Sequence, residues 1–333
     1  MQFQTFSVRN LISAVVAGVT LAVAAPAAVA QDFPERPIEF IVPYAAGGPL
    51  DTMARLLAEK AKPHLGTVVV ENRPGAGGNI GAARAAGAKA DGHTLVMGAV
   101  AINAINPWLY DDLSFDPIDS FEPVALVASV PNVLILNPEF ASENNIQSVE
   151  DLVEYARDNS GSLNYGSGGN GSAGHLAGEL MNVRTDTDSM HIPYGGAAPA
   201  QMALMSGEVD FMFDNLASAA SMIKGEKVTA LAVTTEDRSF MFPDLPTMQE
   251  SGVNDFDLGT WFGVFTTGGT PDDVVDTLHD AYVKALEDDE VRETLKTMGS
   301  DAGPGTREEF AELVKEDLEK YRELVKISGA KAE

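Results

Sequence analysis

The sequence predicts an α/β protein of two domains, each built on a doubly wound parallel sheet. Three observations carry that reading. Apolar strand-like runs alternate with runs of helical periodicity along most of the chain. Two glycine-rich turns of the same build, residues 42–51 and 164–172, each follow a strand-like run and open a helix-like one. Roughly 300 residues follow an N-terminal export signal, enough for two separate cores.

Residues 38–43 read as a buried strand, mostly apolar and rich in Ile, Phe and Val. Pro49 suits a first helical position, where its missing N–H costs nothing. Leu50, Met53, Ala54, Leu57, Ala58 and Ala61 then mark one face of a helix over 49–62. A strand at 68–72, a glycine-rich loop at 73–81, a small-residue helix at 79–90 and a strand at 93–98 complete the first unit. This order argues for a parallel sheet. Residues 124–137 are β-rich but interrupted by Pro131 and read as a crossover between domains. The second unit follows with a helix at 149–158, a strand at 163–165, helices at 175–182 and 198–206, and strands at 188–193, 209–213 and 228–234. Residues 261–265 read as the return crossover. Two charged helices with apolar stripes, at 272–286 and 307–326, pack on the surface. The expected lobes are 32–130 with 262–333, and 131–261.

Residues 1–30 read as an export signal: Arg9, an apolar core over 11–25, and Ala28-Val29-Ala30 ahead of Gln31. Cleavage near Ala30 is expected, leaving a soluble protein outside the cytoplasm. The chain has no cysteine, so it holds together without disulfides. Its 22 Lys plus Arg against 49 Asp plus Glu give a net charge of −27, which argues against nucleic acid or anionic lipid as partners.

The twin turns are the chemistry-bearing feature. A helix N-terminus presents unpaired N–H groups and a partial positive charge, so two such ends, one per domain, suit the two sides of a small carboxylate. In the first turn Tyr44, Ala45, Gly47 and Gly48 are the contact candidates. Asp51 either caps the helix or holds a ligand amino group. In the second turn the candidates are Ser167, Gly169, Asn170, Gly171 and Ser172. Asn103, in the loop after the third strand, is a further polar candidate. Asp214 and Asn215 follow an apolar strand where open α/β sheets bind ligands, although Asp214 reads equally well as a cap. Tyr194 and Trp261 offer a hydroxyl or a ring wall, or simply packing. His175 reads as a packed histidine, and the glycines of 72–81 as structural.

No catalytic set emerges. Asn170-Gly171-Ser172-Ala173-Gly174 misses the G-x-S-x-G elbow, and the five histidines are scattered without metal-ligand spacing. No enzyme activity, metal or cofactor is expected.

Several blocks in order resemble the tripartite tricarboxylate transporter substrate-binding proteins, the Bug receptors. They are Ile41-Val42-Pro43 with Gly47-Gly48 and Asp51, the run Val70 through Gly81 (VENRPGAGGNIG), Asp91-Gly92, Asn106-Pro107, Asn164-Tyr165 with Gly169-Asn170-Gly171-Ser172, Met212-Phe213-Asp214-Asn215 and Trp261-Phe262-Gly263. The resemblance implies a type II periplasmic-binding-protein fold, two lobes joined by a hinge with the ligand in the cleft between them. It further implies a periplasmic, monomeric receptor that delivers a di- or tricarboxylate, aromatic acid or acidic amino acid to a two-component membrane permease. A receptor that reports to a signalling partner is the alternative. The chain departs from the family at Tyr44-Ala45-Ala46, and at Pro193-Tyr194-Gly195-Gly196, where many relatives carry a lysine.

Overall fold

The computed structural model describes residues 33–300 and 305–331. The expected export signal lies outside the described residues. Among them, no helix is long and apolar enough to cross a membrane.

The first unit holds β1 (Ile38–Val42), β2 (Val68–Asn72) and β3 (Thr94–Ala99), with α1 (Pro49–Leu65) and α2 (Asn79–Ala86) as crossovers. The strands pair in parallel in the order β2-β1-β3. β1 and β3 are almost wholly buried, which suits their apolar runs, whereas β2 is the edge strand and exposes Val69 and Glu71. Phe40, Val42, Leu95 and Met97 enter one apolar layer, and Ile41 and Val96 the other. After β3 come a π-helical turn (Ala101–Ile105), α3 (Asn106–Leu109) and the long β4 (Phe121–Leu136).

The second unit holds α4 (Pro138–Glu143), α5 (Val149–Asp158), β5 (Asn164–Ser167), α6 (Ala173–Thr185), β6 (Met190–Pro193), α7 (Ala197–Ser206), β7 (Phe211–Asn215), α8 (Leu216–Lys224) and β8 (Thr229–Val233). Here β5 lies between β6 and β7, parallel to both. The chain returns through β9 (Gly259–Thr267) to α9 (Asp272–Leu286), α10 (Asp289–Thr297) and α11 (Arg307–Ser328).

The sheets are mixed rather than purely parallel. β9 pairs antiparallel with β3, and β4 antiparallel with β9 over Phe121 to Pro131. From Asn132 onward β4 pairs with β7 on one side and β8 on the other, both antiparallel. The two segments read as crossovers are therefore also sheet strands. Pro131 does not interrupt β4, because it sits where the strand changes partners and a missing ladder donor is tolerated.

Short helices escape the sequence reading for identifiable reasons. α8 begins directly on the end of β7, with Asn215 accepting the Ala217 N–H at 3.0 Å, so no polar gap separates strand from helix. α4 has six residues, capped by Asn137. α10 lies in a run of acids just after α9, capped by Asp288.

α11 ties the molecule together. Tyr321, fully buried, donates its hydroxyl to Gly259 O at 2.6 Å, and the Trp108 indole N–H donates to Leu318 O at 2.8 Å. α6 lies so close on β7 that a Cβ on Gly174 would fall 2.3 Å from Phe213 O. Gly174→Ala is therefore expected to destabilise the protein by about 1–3 kcal/mol through overpacking, read as a lower urea midpoint with an unchanged slope.

Candidate functional site

The first turn joins β1 to α1. Gly48 is the N-cap residue and makes no side-chain cap, and Pro49 fills the first helical position. The N–H groups of Gly48, Leu50 and Asp51 find no acceptor among the described residues, as the geometry of a helix start requires. Ala45 and Gly47 are exposed and Gly48 is half-buried. Gly47 has φ +87°, and its N–H turns back to donate to Asp51 Oδ2 at 2.8 Å.

Asp51 is buried in a knot behind the turn. Asn72, at the end of β2, donates from Nδ2 to Asp51 Oδ1 at 2.9 Å and to Tyr44 O at 3.1 Å. Arg55 Nη2 lies 3.0 Å from Asp51 Oδ1 and donates to Asn72 Oδ1 at 2.8 Å. Burial pushes the Asp51 carboxyl up, but the bonds from Arg55, the Gly47 N–H and Asn72 outweigh it and hold the group below the usual carboxylate range. Tyr44 is half-buried, its ring against Gly78, and desolvation raises its hydroxyl pKa.

The second turn joins β5 to α6. Ser167 is fully buried; its Oγ accepts the Gly169 N–H at 3.1 Å and lies 2.7 Å from His191 Nε2. The Gly171 N–H, at φ +79°, donates to His175 Nδ1 at 3.3 Å. Ser172 caps α6 by accepting the His175 N–H at 3.2 Å. The N–H groups of Gly168 and Asn170 have no acceptor among the described residues. Burial holds the His175 pKa down to about 4; burial, then the neighbouring His175, holds His191 to about 3. Both imidazoles are thus neutral at physiological pH.

A seam joins the two units beside these turns. Cβ positions built on Gly77 and Gly171 would lie 3.5 Å from Asn170 O and 2.6 Å from Asn106 Oδ1 respectively. Asn106 donates to Asn79 Oδ1 at 2.7 Å and Gly77 O at 3.1 Å, while its own Oδ1 has no partner. Tyr110 completes the seam, its hydroxyl 3.0 Å from the Gly77 Cβ position. The sequence reading did not single out Asn79, Asn106 or Tyr110. Asn79 and Asn106 stood only within the family blocks, in VENRPGAGGNIG and Asn106-Pro107, and Tyr110 gave no signal.

Of the remaining candidates, all but Asn103 have polar side-chain groups engaged within the protein. Asp214 is buried; Gln201 and Ser218 donate to its Oδ2, and the Asn215 N–H to its Oδ1 at 2.8 Å. Desolvation nevertheless raises its pKa. Asn215 caps α8 and donates from Nδ2 to Thr260 Oγ1. Trp261 is buried against Phe265 and Phe310, with its indole N–H on Asp317 Oδ2 at 2.6 Å. Tyr194 donates to Glu208 at 3.0 Å, and its carbonyl backs Gly169. Asn103 is buried with Oδ1 unpartnered.

Known proteins of similar sequence and shape share this architecture. A UPF0065 protein encoded in the tcbD–tcbE intergenic region of a Pseudomonas species is 35% identical over 316 residues, covering 93% of each chain. The solved structure of R. palustris Rpa4515 with adipate superposes with a TM-score of 0.83 at 33% identity, covering 90% of this chain and 99% of that one. MatC (Rpa3494) from Rhodopseudomonas palustris with bound malate gives 0.80 at 32% identity, covering 88% and 100%. The fold is that of the periplasmic solute-binding proteins. Residues 53–330 match the tripartite tricarboxylate transporter family receptor, TctC, and the chain belongs to that family.

Proposed function

We propose that this protein is a periplasmic receptor, not an enzyme, that holds a small dicarboxylate between the two glycine turns and delivers it to a tripartite membrane permease. One observation carries the reading: both turns leave backbone N–H groups unspent at a helix start, and the seam from Gly77 to Asn170 joins the units beside them. Adipate and malate in two similar structures support a carboxylate of this size. The N–H groups of Gly48, Gly168 and Asn170 are the proposed donors, each hydrogen bond to a charged oxygen contributing roughly 1.5–3 kcal/mol. Asp51, Asp214 and Trp261 serve the turns and the hinge from behind, since their polar atoms are already engaged. The seam closes over bound ligand and parts to release it.

Calorimetric titration of the stripped protein with adipate, L-malate and the neutral 1,6-hexanediol tests this. Saturable micromolar binding of a dicarboxylate and none of the diol is expected. Binding of the diol alone would sink the reading. Gly171→Ala puts a Cβ 2.6 Å from Asn106 Oδ1 at a positive φ, so the seam cannot close fully. At least tenfold weaker binding is expected, with an unchanged circular dichroism spectrum.

Asp51→Asn separates the capping role from a ligand role. A carboxyl whose folded pKa is depressed contributes stability above its unfolded value of about 3.9 and loses it as pH falls through the lower folded value. The substitution is expected to cost about 1–3 kcal/mol at pH 7, with the gap to wild type narrowing below about pH 4 in urea unfolding. The preference for dicarboxylates over amino acids should not change.

A further inference from the structure

Two histidines that the receptor reading does not use stand directly behind the second turn. His175, on the first turn of α6, and His191, on β6, stack with ring centroids 4.0 Å apart and planes 11° from parallel. His191 also stacks on Tyr165 at 4.9 Å, and Tyr165 on Phe211 at 5.6 Å, so four rings form one pile under the turn. The pile is fixed at its Tyr165 level, where the hydroxyl donates to Glu179 Oε1 at 2.6 Å. Glu179 supplies the carboxylate beside the pile, and that oxygen is taken by the tyrosine.

Each imidazole reaches the turn with one nitrogen. His175 Nδ1 accepts the Gly171 N–H at 3.3 Å, and His191 Nε2 lies 2.7 Å from the Ser167 hydroxyl that holds both the N–H and the carbonyl of Gly169. A nitrogen that accepts from a backbone N–H carries no proton, so His175 is the neutral Nε2–H tautomer. The first turn has the same wiring. Gly47 donates to Asp51 four residues on, as Gly171 donates to His175 four residues on. A side chain from the adjacent strand then braces each, Asn72 from β2 and His191 from β6.

We infer that His175 and His191 are positioning residues: as a stacked neutral pair they set the shape of the second turn and so decide which of its N–H groups are spent inside the protein and which face the ligand. The Gly169 and Gly171 N–H groups are consumed within the turn, which leaves Gly168 and Asn170 as outward donors. Neither ring touches the ligand. This inference rests on the receptor reading for its binding consequence, but its structural core is testable without any ligand.

His175→Asn keeps an acceptor near the Nδ1 position, whereas His175→Leu keeps the volume and removes the acceptor. With adipate and L-malate as titrants, His175→Leu is expected to weaken binding at least tenfold. His175→Asn should recover most of that loss even if it is the less stable of the two by thermal unfolding. Affinity that instead follows stability, with Leu binding as well as wild type, overturns the inference. In the ligand-free wild type at pH 7, long-range ¹⁵N–¹H spectra should show His175 protonated on Nε2 only. The Gly171 amide resonance should move in the Leu variant and far less in the Asn variant. A proton on His175 Nδ1 at that pH overturns the inference whatever the protein binds. Failure of wild type to bind any dicarboxylate while these spectra hold would overturn the receptor reading alone.

Discussion

The register between β4 and β9 is the constraint on which the rest of the structure depends. These two strands pair with each other from Phe121 against Thr267 to Pro131 against Gly259, and each is shared with a neighbour that the other does not touch. β9 carries the pairing on to β3, and β4 carries it on to β7 and β8. The first turn is thus tied to this ladder through β3 and β9 and the second through β7 and β4, both toward its Pro131–Gly259 end. Its crossing point is reinforced from the side. Thr260 donates to Val130 O at 2.7 Å, Asn215 donates to Thr260, and Tyr321 donates to Gly259 O. Both turns run directly between a sheet strand and a helix, β1 to α1 and β5 to α6, which suits the proposed site of backbone groups.

The proposed carboxylate site works against the overall field. The net charge is −27, and two acids, Asp51 and Asp214, sit beside or near the turns. At physiological salt the Debye length is about 8 Å, so distant surface acids are largely screened. The near ones are not, and the structure deals with each differently. Asp51 is paired with Arg55 and accepts from the Gly47 N–H and from Asn72. Asp214 has its pKa raised by desolvation, which shrinks its charge as pH falls, and both oxygens accept from inside the protein. What remains at the turns is a set of N–H groups without an acceptor among the described residues.

Much of the layout was legible from the chain because the strong signals are local. The strand at 38–43, the Pro49 start of α1 and the helix at 149–158 depend on periodicity and capping within a few residues, and they fall within a residue or so of the observed starts. The antiparallel role of β4 and β9 was not legible, because pairing partners more than a hundred residues apart leave no mark on local pattern. The same holds for the seam: Asn106 meets Gly171 only once both units are folded. Pro131 misled in the opposite direction. Its local meaning as a strand breaker is overridden where the strand exchanges one partner for another.

The two turns show why residue identity alone undersold the site. Asp51 reads as a cap or an amine ligand, and His175 as packing, because each was weighed on its own helix. In the structure they occupy the same place, four residues after a glycine of positive φ whose N–H each accepts. An anion serves at the first turn because Arg55 lies one helical turn on to balance it. No arginine or lysine stands at the matching place on α6, where Glu179 is found, and a second carboxylate there would put an unbalanced charge beside the proposed ligand. At about 4 Å and an effective dielectric of 20 that repulsion is about 4 kcal/mol, enough to cancel one or two of the hydrogen bonds the site offers. A neutral imidazole accepts the same N–H without that penalty, and burial under three further rings keeps it neutral. On the receptor reading, an anionic ligand therefore favours a neutral acceptor behind the second turn and tolerates the Arg55-paired carboxylate behind the first.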